Sequence, residues 1–359
     1  MKIGMIAPPL GTASMTVAAS LSRNLARRGH EVHFIGHRSG TPHLAEEGVS
    51  EHVIDPSTCV STDPPMHDLA LAAKIASVSD EAKLDLIHVH AALPHAIAAA
   101  LAKRILGDRA PKLVTTLHGI ELTLVASDLC LVGLARHGLE SSDAVTCVSE
   151  ALRREVIEEF GPRVVHVVPD FLDAPPRTFK VAGVTKPAIL HVSNFRPGKR
   201  LDLVLETFAR VHRELPCELL LVGDGPERAS ARELARTLGV DSSCRFLSGV
   251  ESYDALPEAD VFLLPSDNES FGFAALAAMA AGIPVVGSDT GGLPELVKHA
   301  ESGYLLPKGD IDGLAERCAE ILRDKERRRE MGDSARRRAQ SRFGAERVVA
   351  EFEELYASL

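Results

Sequence analysis

The chain has no tryptophan and only 4% aromatic residues, so it lacks the flat surfaces on which proteins stack single-stranded bases. An aromatic-rich carbohydrate-binding module is disfavoured on the same ground. Net positive charge is missing too. Fifty acidic residues against 40 basic ones leave a formal charge of −10. The basic residues are scattered over helices or gathered near the C-terminus, so no nucleic-acid groove is expected. The Arg-rich stretch 323–342 is interleaved with acids and reads as a solvated helical face. No apolar run approaches membrane-spanning length. The chain opens directly on a strand pattern, MKIGMIA, rather than a signal peptide, and a cytoplasmic location is expected. Cys59, Cys130, Cys147, Cys217, Cys244 and Cys318 show no paired metal-ligand spacing, as expected of reduced thiols. A GxGxxG fingerprint is absent, which removes most support for an oxidoreductase. No DxD-like metal–phosphate motif stands in a suitable loop, and neither metal nor cofactor is expected.

What is present is an alternation of strand and helix signals over 359 residues, enough for two α/β domains each burying its own core. Residues 2–7 form a strand, 10–14 a loop that leads into a helix ending near Arg28, and 31–35 a second strand, together an opening βαβ unit. Residues 37–80 carry Pro, Ser and Asp clusters and read as an irregular excursion with short helices near 68–78. A strand at 84–89 is followed by His90. The segment DLIHVHAALPHA brings His88, His90 and His95 close together, but alternate residues on a strand that turns into a helix give no fixed metal geometry. The buried strand 112–117 delivers His118 at its carboxyl end, where ligands gather in open α/β sheets. The helix 128–142 carries Arg136, and a strand at 144–148 precedes a helix opened by Ser149-Glu150. The Pro- and Asp-rich segment PDFLDAPPRTF reads as a linker. Domains are expected at 1–171 and 172–343, with a terminal helix 344–359 packing back on the first.

In the second half, the strand 187–192 delivers Ser193, Asn194, Arg196, Lys199 and Arg200 on a short loop, three cations suited to an anion. A solvated loop is the plain alternative. The strand 218–222 runs into Gly223-Asp224-Gly225-Pro226, a turn that lets a nucleotide approach backbone. Residues 245–247 are a strand and 252–258 a short helix. The most informative stretch is DVFLLPSDNESFGFAALAAMAAGIPVVGSDTGGLPE, residues 260–295. Its strand 261–264 ends at Pro265, a polar loop carries Glu269, and a small-residue helix spans 271–281. The amides at that helix start suit a phosphate, while Glu269 can accept hydrogen bonds from sugar hydroxyls or serve only as a first-turn acid. A second strand, 283–286, precedes Gly291-Gly292, which allows close backbone approach, and a helix starting at Pro294-Glu295.

The run NESFGFAALAAMAAGIPVVGSDTGGLPELV resembles the donor-site signature of retaining, nucleotide-sugar-dependent glycosyltransferases of the GT-B fold, in family four. The likeness covers nearly the whole chain through DLIHVHAALPHA, VTTLHGIELTLVAS, ESSDAVTCVSEALR, HVSNFRPGKR and LLLVGDGPE. It implies two Rossmann-like, doubly wound domains facing a central cleft, the first binding acceptor and the second donor. The implied reaction moves a sugar from a nucleoside diphosphate, UDP-N-acetylglucosamine-like or a GDP-sugar, to a small anionic or zwitterionic acceptor with retention and without metal. His118, Arg196, Lys199 and Glu269 take the catalytic positions. Ser14, Asn194, Gly223, Phe271, Gly272, Phe273 and Ala277 fall at donor positions, and Ala91, Glu121 and Arg136 at acceptor positions. Neither nucleic acid nor a membrane span is implied, and a homodimer is left open.

Four departures fall in these pockets. The family's Gly-Gly-Ser-Gly loop is Thr12-Ala13-Ser14-Met15, a Tyr is replaced by Ala91, His-Gly-Thr-Asp becomes His118-Gly119-Ile120-Glu121, and a second Glu is Ala277. Transfer to sulfur or selenium, and a weakly catalytic nucleotide-sugar-binding protein, are the competing readings.

Overall fold

The computed structural model describes residues 1–8, 13–37, 44–54, 67–161, 163–248, 253 and 255–359. The chain divides into two compact units, Met1–Asp170 joined by Ala345–Leu359, and Phe171–Gly344.

The first unit runs β1 (Lys2–Ile6), α1 (Ala13–Arg27), β2 (Glu31–His37), β3 (Val49–Ile54), α2 (His67–Ala82), β4 (Leu86–Val89), a π turn (Ala92–Ala96), α3 (Ile97–Leu106), β5 (Lys112–Leu117), α4 (Ile120–Ser127), α5 (Cys130–Glu140), β6 (Ala144–Cys147), α6 (Glu150–Phe160) and β7 (His166–Val167). Its seven strands are all parallel, in the order β3-β2-β1-β4-β5-β6-β7. Sheets of this kind are covered on both faces, which is why β4 (LIHV) and β6 (AVTC) are buried at every position. α6 begins at Ser149, whose side chain accepts from the amide of Leu152 at 3.0 Å, and ends at Gly161 in a positive-φ conformation.

The excursion expected over 37–80 is ordered where it is described: β3 pairs along β2 and α2 is one continuous helix. β3 escaped the apolar-run criterion because it is an edge strand with polar Ser50, Glu51 and His52 between its buried ends. The helix expected over 128–142 is α5, Cys130–Glu140, and α4, Ile120–Ser127, is a further helix ahead of it that was not expected.

The second unit contains β8 (Arg177–Phe179), β9 (Ala188–Val192), α7 (Leu201–Glu214), β10 (Glu218–Val222), α8 (Arg228–Thr237), β11 (Cys244–Leu247), β12 (Ala255–Pro257), β13 (Val261–Leu264), α9 (Phe273–Ala280), β14 (Val285–Ser288), α10 (Leu293–Leu296), β15 (Gly303–Leu306), α11 (Ile311–Arg323) and α12 (Lys325–Phe343). Its main sheet is parallel in the order β11-β10-β9-β13-β14-β15. Phe195, Phe208, Leu219, Leu263 and Ile321 belong to its core. Residues 255–257 are a strand paired with β8 rather than part of the helix expected over 252–258. Residue 252 lies outside the described residues, as do Thr12 and Cys59.

α12 does more than present a solvated basic face. Arg336 donates to the carbonyl of Ala281 at 2.9 Å, and Arg338 donates to the carbonyls of Leu296 and Glu295 at 2.6 and 2.8 Å. These guanidinium groups satisfy backbone acceptors at the ends of α9 and α10. The last helix, α13 (Ala345–Ala357), belongs to the first unit, where Val348, Val349, Phe352 and Tyr356 form its buried stripe. Arg28 reaches Glu353 at 2.6 Å and the Glu346 carbonyl at 2.8 Å, pinning α13 beside α1.

Candidate active site

In both units the strand order reverses between two neighbouring parallel strands, β1 and β4 in the first and β9 and β13 in the second. Ligands of open α/β sheets bind at the carboxyl ends of such strands. In the second unit the loops after β9 and β13 meet through the amide of Asp267, which donates to the carbonyl of Gly198 at 3.0 Å. Between them, Lys199 Nζ donates to Glu269 Oε1 at 2.7 Å. Ser266 Oγ donates to the same oxygen at 2.7 Å. Glu269 is 8% exposed. Oε2 has no hydrogen bond among the described residues and remains an acceptor beside α9, whose first-turn amides lack helical partners. Arg196 is exposed and forms no ion pair among the described residues.

Arg200 differs from the other two cations. It forks onto Asp202 at 2.9 and 2.7 Å and reaches Asp267 at 3.0 Å, so its charge is spent tying the two loops together. These carboxylates hold the guanidinium pKa above its ordinary range. The expected set of three anion-seeking cations thus becomes one free guanidinium and one paired ammonium. A chain of hydrogen bonds supports the β9 loop. His191 Nδ1 donates to the Leu263 carbonyl at 2.9 Å, its Nε2 accepts from Ser193 Oγ at 2.8 Å, and Ser193 Oγ accepts from the Phe195 amide at 3.3 Å. Burial pushes His191 down to about 4, leaving it neutral.

The glycines expected to admit a ligand lie tightly against the protein's own backbone. A Cβ on Gly223, at φ +129°, would stand 1.9 Å from the Ser193 carbonyl oxygen, and one on Gly225 2.0 Å from that of Asn194. At Gly291 it would stand 2.0 Å from the Glu269 carbonyl oxygen, and Gly292 donates its amide to that oxygen at 2.7 Å. These close approaches hold the loops that carry Asn194 and Glu269. Phe271 packs edge-on against Phe343 and Phe273 against Tyr253, so both rings are engaged within the unit. Gly272 has a left-handed backbone and starts α9, and Ala277 is fully buried one turn further on.

In the first unit, the β4 and β5 ends carry a buried file of imidazoles. His88 sits between Tyr356 Oη and Thr116 Oγ1, each at 2.6 Å. Its ring centre lies 4.3 Å from that of His90. His90 Nδ1 lies 3.1 Å from His118 Nε2, and His118 Nδ1 lies 3.3 Å from Asp170 Oδ1, an ion-pair contact bent away from hydrogen-bond geometry. Burial opposes a charge on His118, but Asp170, with Glu121 behind it, outweighs burial and raises the pKa. His90 is held well below the usual range by burial and by its neighbours His88, His118 and His95.

Glu121 is buried and accepts the amides of Ala92 at 3.1 Å and Gly119 at 3.0 Å, which commits both oxygens to joining the two strand ends. Ala91 is buried beside it, and Ser14 lies near the start of α1, also buried. Arg136 is exposed; its Nε donates to the Phe160 carbonyl at 3.1 Å. Asp170 and Ser266 went unnoticed in the sequence, the first because it lies within a linker-like run and the second because a lone serine after a strand carries no signal. Among the described residues no cluster of three or more His, Cys, Asp or Glu is arranged to hold a metal ion, and no helix is long and apolar enough to cross a membrane.

Two parallel sheets covered by helices, each with polar residues on its strand-end loops, are the architecture of the GT-B fold. The HepE protein of Anabaena, solved in complex with UDP and glucose, shares the fold with a TM-score of 0.81 at 21% identity, over 100% of both chains. The family described as Glycosyltransferase Family 4 matches residues 15–174, and Glycosyl transferases group 1 matches residues 177–338. The chain is 38% identical to the N-acetyl-alpha-D-glucosaminyl L-malate synthase of Bacillus anthracis, over 99% of this chain and 96% of that protein. It is 30% identical to a GDP-mannose-dependent alpha-(1-6)-phosphatidylinositol monomannoside mannosyltransferase of Mycobacterium tuberculosis, over 78% and 76% of the two chains. This chain therefore belongs to the family 4, group 1 glycosyltransferases.

Proposed function

We propose that the protein transfers a sugar from a nucleoside diphosphate sugar to a small anionic or zwitterionic acceptor, with retention at the anomeric carbon and without a metal ion. The observation that carries this reading is Glu269. Its Oε1 is held by Lys199 and Ser266 while Oε2 stays open beside the N-terminus of α9. An open carboxylate oxygen accepts sugar hydroxyls, and the adjoining helix amides and Arg196 receive the diphosphate. Negative charge grows on the leaving phosphate in the transition state, so fixed donors at that point lower the barrier. The departing phosphate oxygen takes the acceptor's proton as the new glycosidic bond forms, and no protein nucleophile is needed. Arg136 offers its terminal nitrogens to an acceptor carboxylate.

The 38% identical relative, named for a glucosaminyl L-malate product, makes UDP-N-acetylglucosamine and L-malate the first probes. GDP-mannose is the second donor, after the mannosyltransferase. The test is acceptor-dependent release of UDP or GDP, followed by proton NMR of the product. An α-linked product from the α-linked donor supports retention, and a β-linked product overturns it. Tight donor binding without release over a broad panel of carboxylate, amino-acid and thiol acceptors overturns catalysis in favour of a binding protein.

A further inference from the structure

The two halves of the Lys199–Glu269 pair are held very differently. Glu269 is fixed from several sides. Ser266, with no exposed surface, donates to its Oε1 at 2.7 Å, and the Gly292 amide donates to its carbonyl at 2.7 Å. Asp267, two residues earlier, is tied to the Gly198 carbonyl through its amide and to Thr290 through its carbonyl. The Lys199 ammonium has Glu269 as its one partner among the described residues. It ends a flexible stem, and its side chain is 27% exposed against 8% for Glu269, so it is the half that an anion can approach. Arg196 and Lys199 stand at the two ends of one tight turn, in which the Lys199 amide donates to the Arg196 carbonyl at 2.9 Å. An anion gathered by Arg196 thus comes within Coulombic reach of Lys199, whose charge Glu269 already offsets. Nothing nearby replaces that charge. Arg200 is matched by Asp202 and Asp267, and burial keeps His191, beside the pair, neutral.

We propose that Glu269, acting through Lys199, makes the site discriminate between an intact nucleoside diphosphate sugar and the spent nucleoside diphosphate. A bare diphosphate meets Glu269 only as the group that withholds Lys199, and binds more weakly because of it. An intact donor also brings sugar hydroxyls, which offset that loss by donating to Oε2, the oxygen left open. Ser266 keeps the two oxygens from exchanging roles, since its hydrogen bond holds Oε1 whether or not Lys199 stays in contact. Transfer converts donor to diphosphate within the site, and a site that holds the product less tightly releases it sooner. The proposal rests on the glycosyltransferase reading for the nature of the two ligands and on the geometry of the pair for the direction of the effect.

The test is a binding cycle on the full chain, by calorimetry at low salt, with UDP and UDP-N-acetylglucosamine and with GDP and GDP-mannose. Glu269→Gln keeps an acceptor for Ser266 and removes the charge. It is expected to tighten binding of the bare diphosphate about fivefold while leaving the nucleotide sugar unchanged or weaker, so that the preference for intact donor falls by at least that factor. Glu269→Ala is carried alongside and should move the bare diphosphate in the same direction. With Lys199→Met in place, Glu269→Gln should change diphosphate affinity by less than about twofold, since no ammonium remains to be released. Diphosphate affinity unchanged or weakened by Glu269→Gln overturns the proposal, as does a nucleotide sugar tightened just as much. A gain of equal size in the Lys199→Met background also overturns it, because the carboxylate then repels the diphosphate directly. A wild type that binds none of these nucleotides overturns the proposed function and the discrimination together. One that binds them but transfers no sugar counts against catalysis alone, because the cycle reads binding.

Discussion

At the ends of β9 and β13 each pair keeps one partner in partial contact with water: Lys199, 27% exposed, meets the buried Glu269, and Arg200, 31% exposed, meets Asp202 and Asp267. At the ends of β4 and β5 charge is taken out of water, with His118 and Asp170 8% and 5% exposed at their side chains. The two regions occupy equivalent places in related folds and solve different problems. A multiply charged diphosphate brings its own negative charge, so a site for it can leave Arg196 free and hold Glu269 in a pair whose second oxygen stays open. A sugar hydroxyl brings no charge, and a low-dielectric pocket makes each fixed donor to it count for more. The second unit should therefore respond to salt and the first to protons.

The largest expected effect breaks the paired side. Glu269→Gln keeps the shape and removes the charge, and turnover should fall roughly tenfold to a thousandfold with the fold intact. An unchanged kcat/KM would reduce Glu269 to a first-turn acid. Gly223→Ala asks whether the glycine serves ligand or protein. With a Cβ 1.9 Å from the Ser193 carbonyl oxygen, the substitution should cost about 2–4 kcal/mol in denaturant unfolding. Full stability with loss of nucleotide binding would restore the glycine to the ligand.

A pH titration of stability sharpens the contrast between buried imidazoles. His191 is pushed down to about 4 by burial, so the unfolded chain binds the proton first. Its contribution is complete above about pH 6.5 and is lost as pH falls toward 4, on the order of 2–3 kcal/mol. His88, at about 3 through burial and its neighbour His118, acts in the same sense. His118 acts oppositely, because its raised pKa stabilises the folded state below pH 6.5 and that contribution fades as pH rises through its folded value. His118→Asn should therefore abolish the gain in stability seen in urea unfolding as pH falls from the folded pKa of His118 to 6.5, and an unchanged profile above pH 6.5 would show that His118 is neutral.

The smallest effect is Arg196→Ala, which should weaken nucleoside diphosphate binding about tenfold, more at low ionic strength, with an unchanged melting midpoint. Calorimetry at two salt concentrations checks it. Salt-independent affinity would remove Arg196 from the diphosphate.

Much of the second unit was legible from the sequence. Strands buried on both faces, such as β10 and β13, are continuous apolar runs, and the break at Pro265 locates the loop that carries Glu269. β3 was not legible, because an edge strand with exposed polar residues lacks that pattern. Nor was the division of labour among Arg196, Lys199 and Arg200. Three cations on one loop look alike until Asp202, Asp267 and Glu269 are in place.

The sequence by itself determined the family and the two parallel α/β sheets, and it located the strand ends at which a ligand is expected, because these follow from local periodicity and from motifs contiguous in the chain. Only the tertiary structure decided which charges are already spent, why Gly223 and Gly291 must be glycines, and that Asp170 stands against His118, which in turn meets His90. Pairing and burial depend on distances between residues far apart in sequence, and the pKa of each group follows from them rather than from its neighbours along the chain.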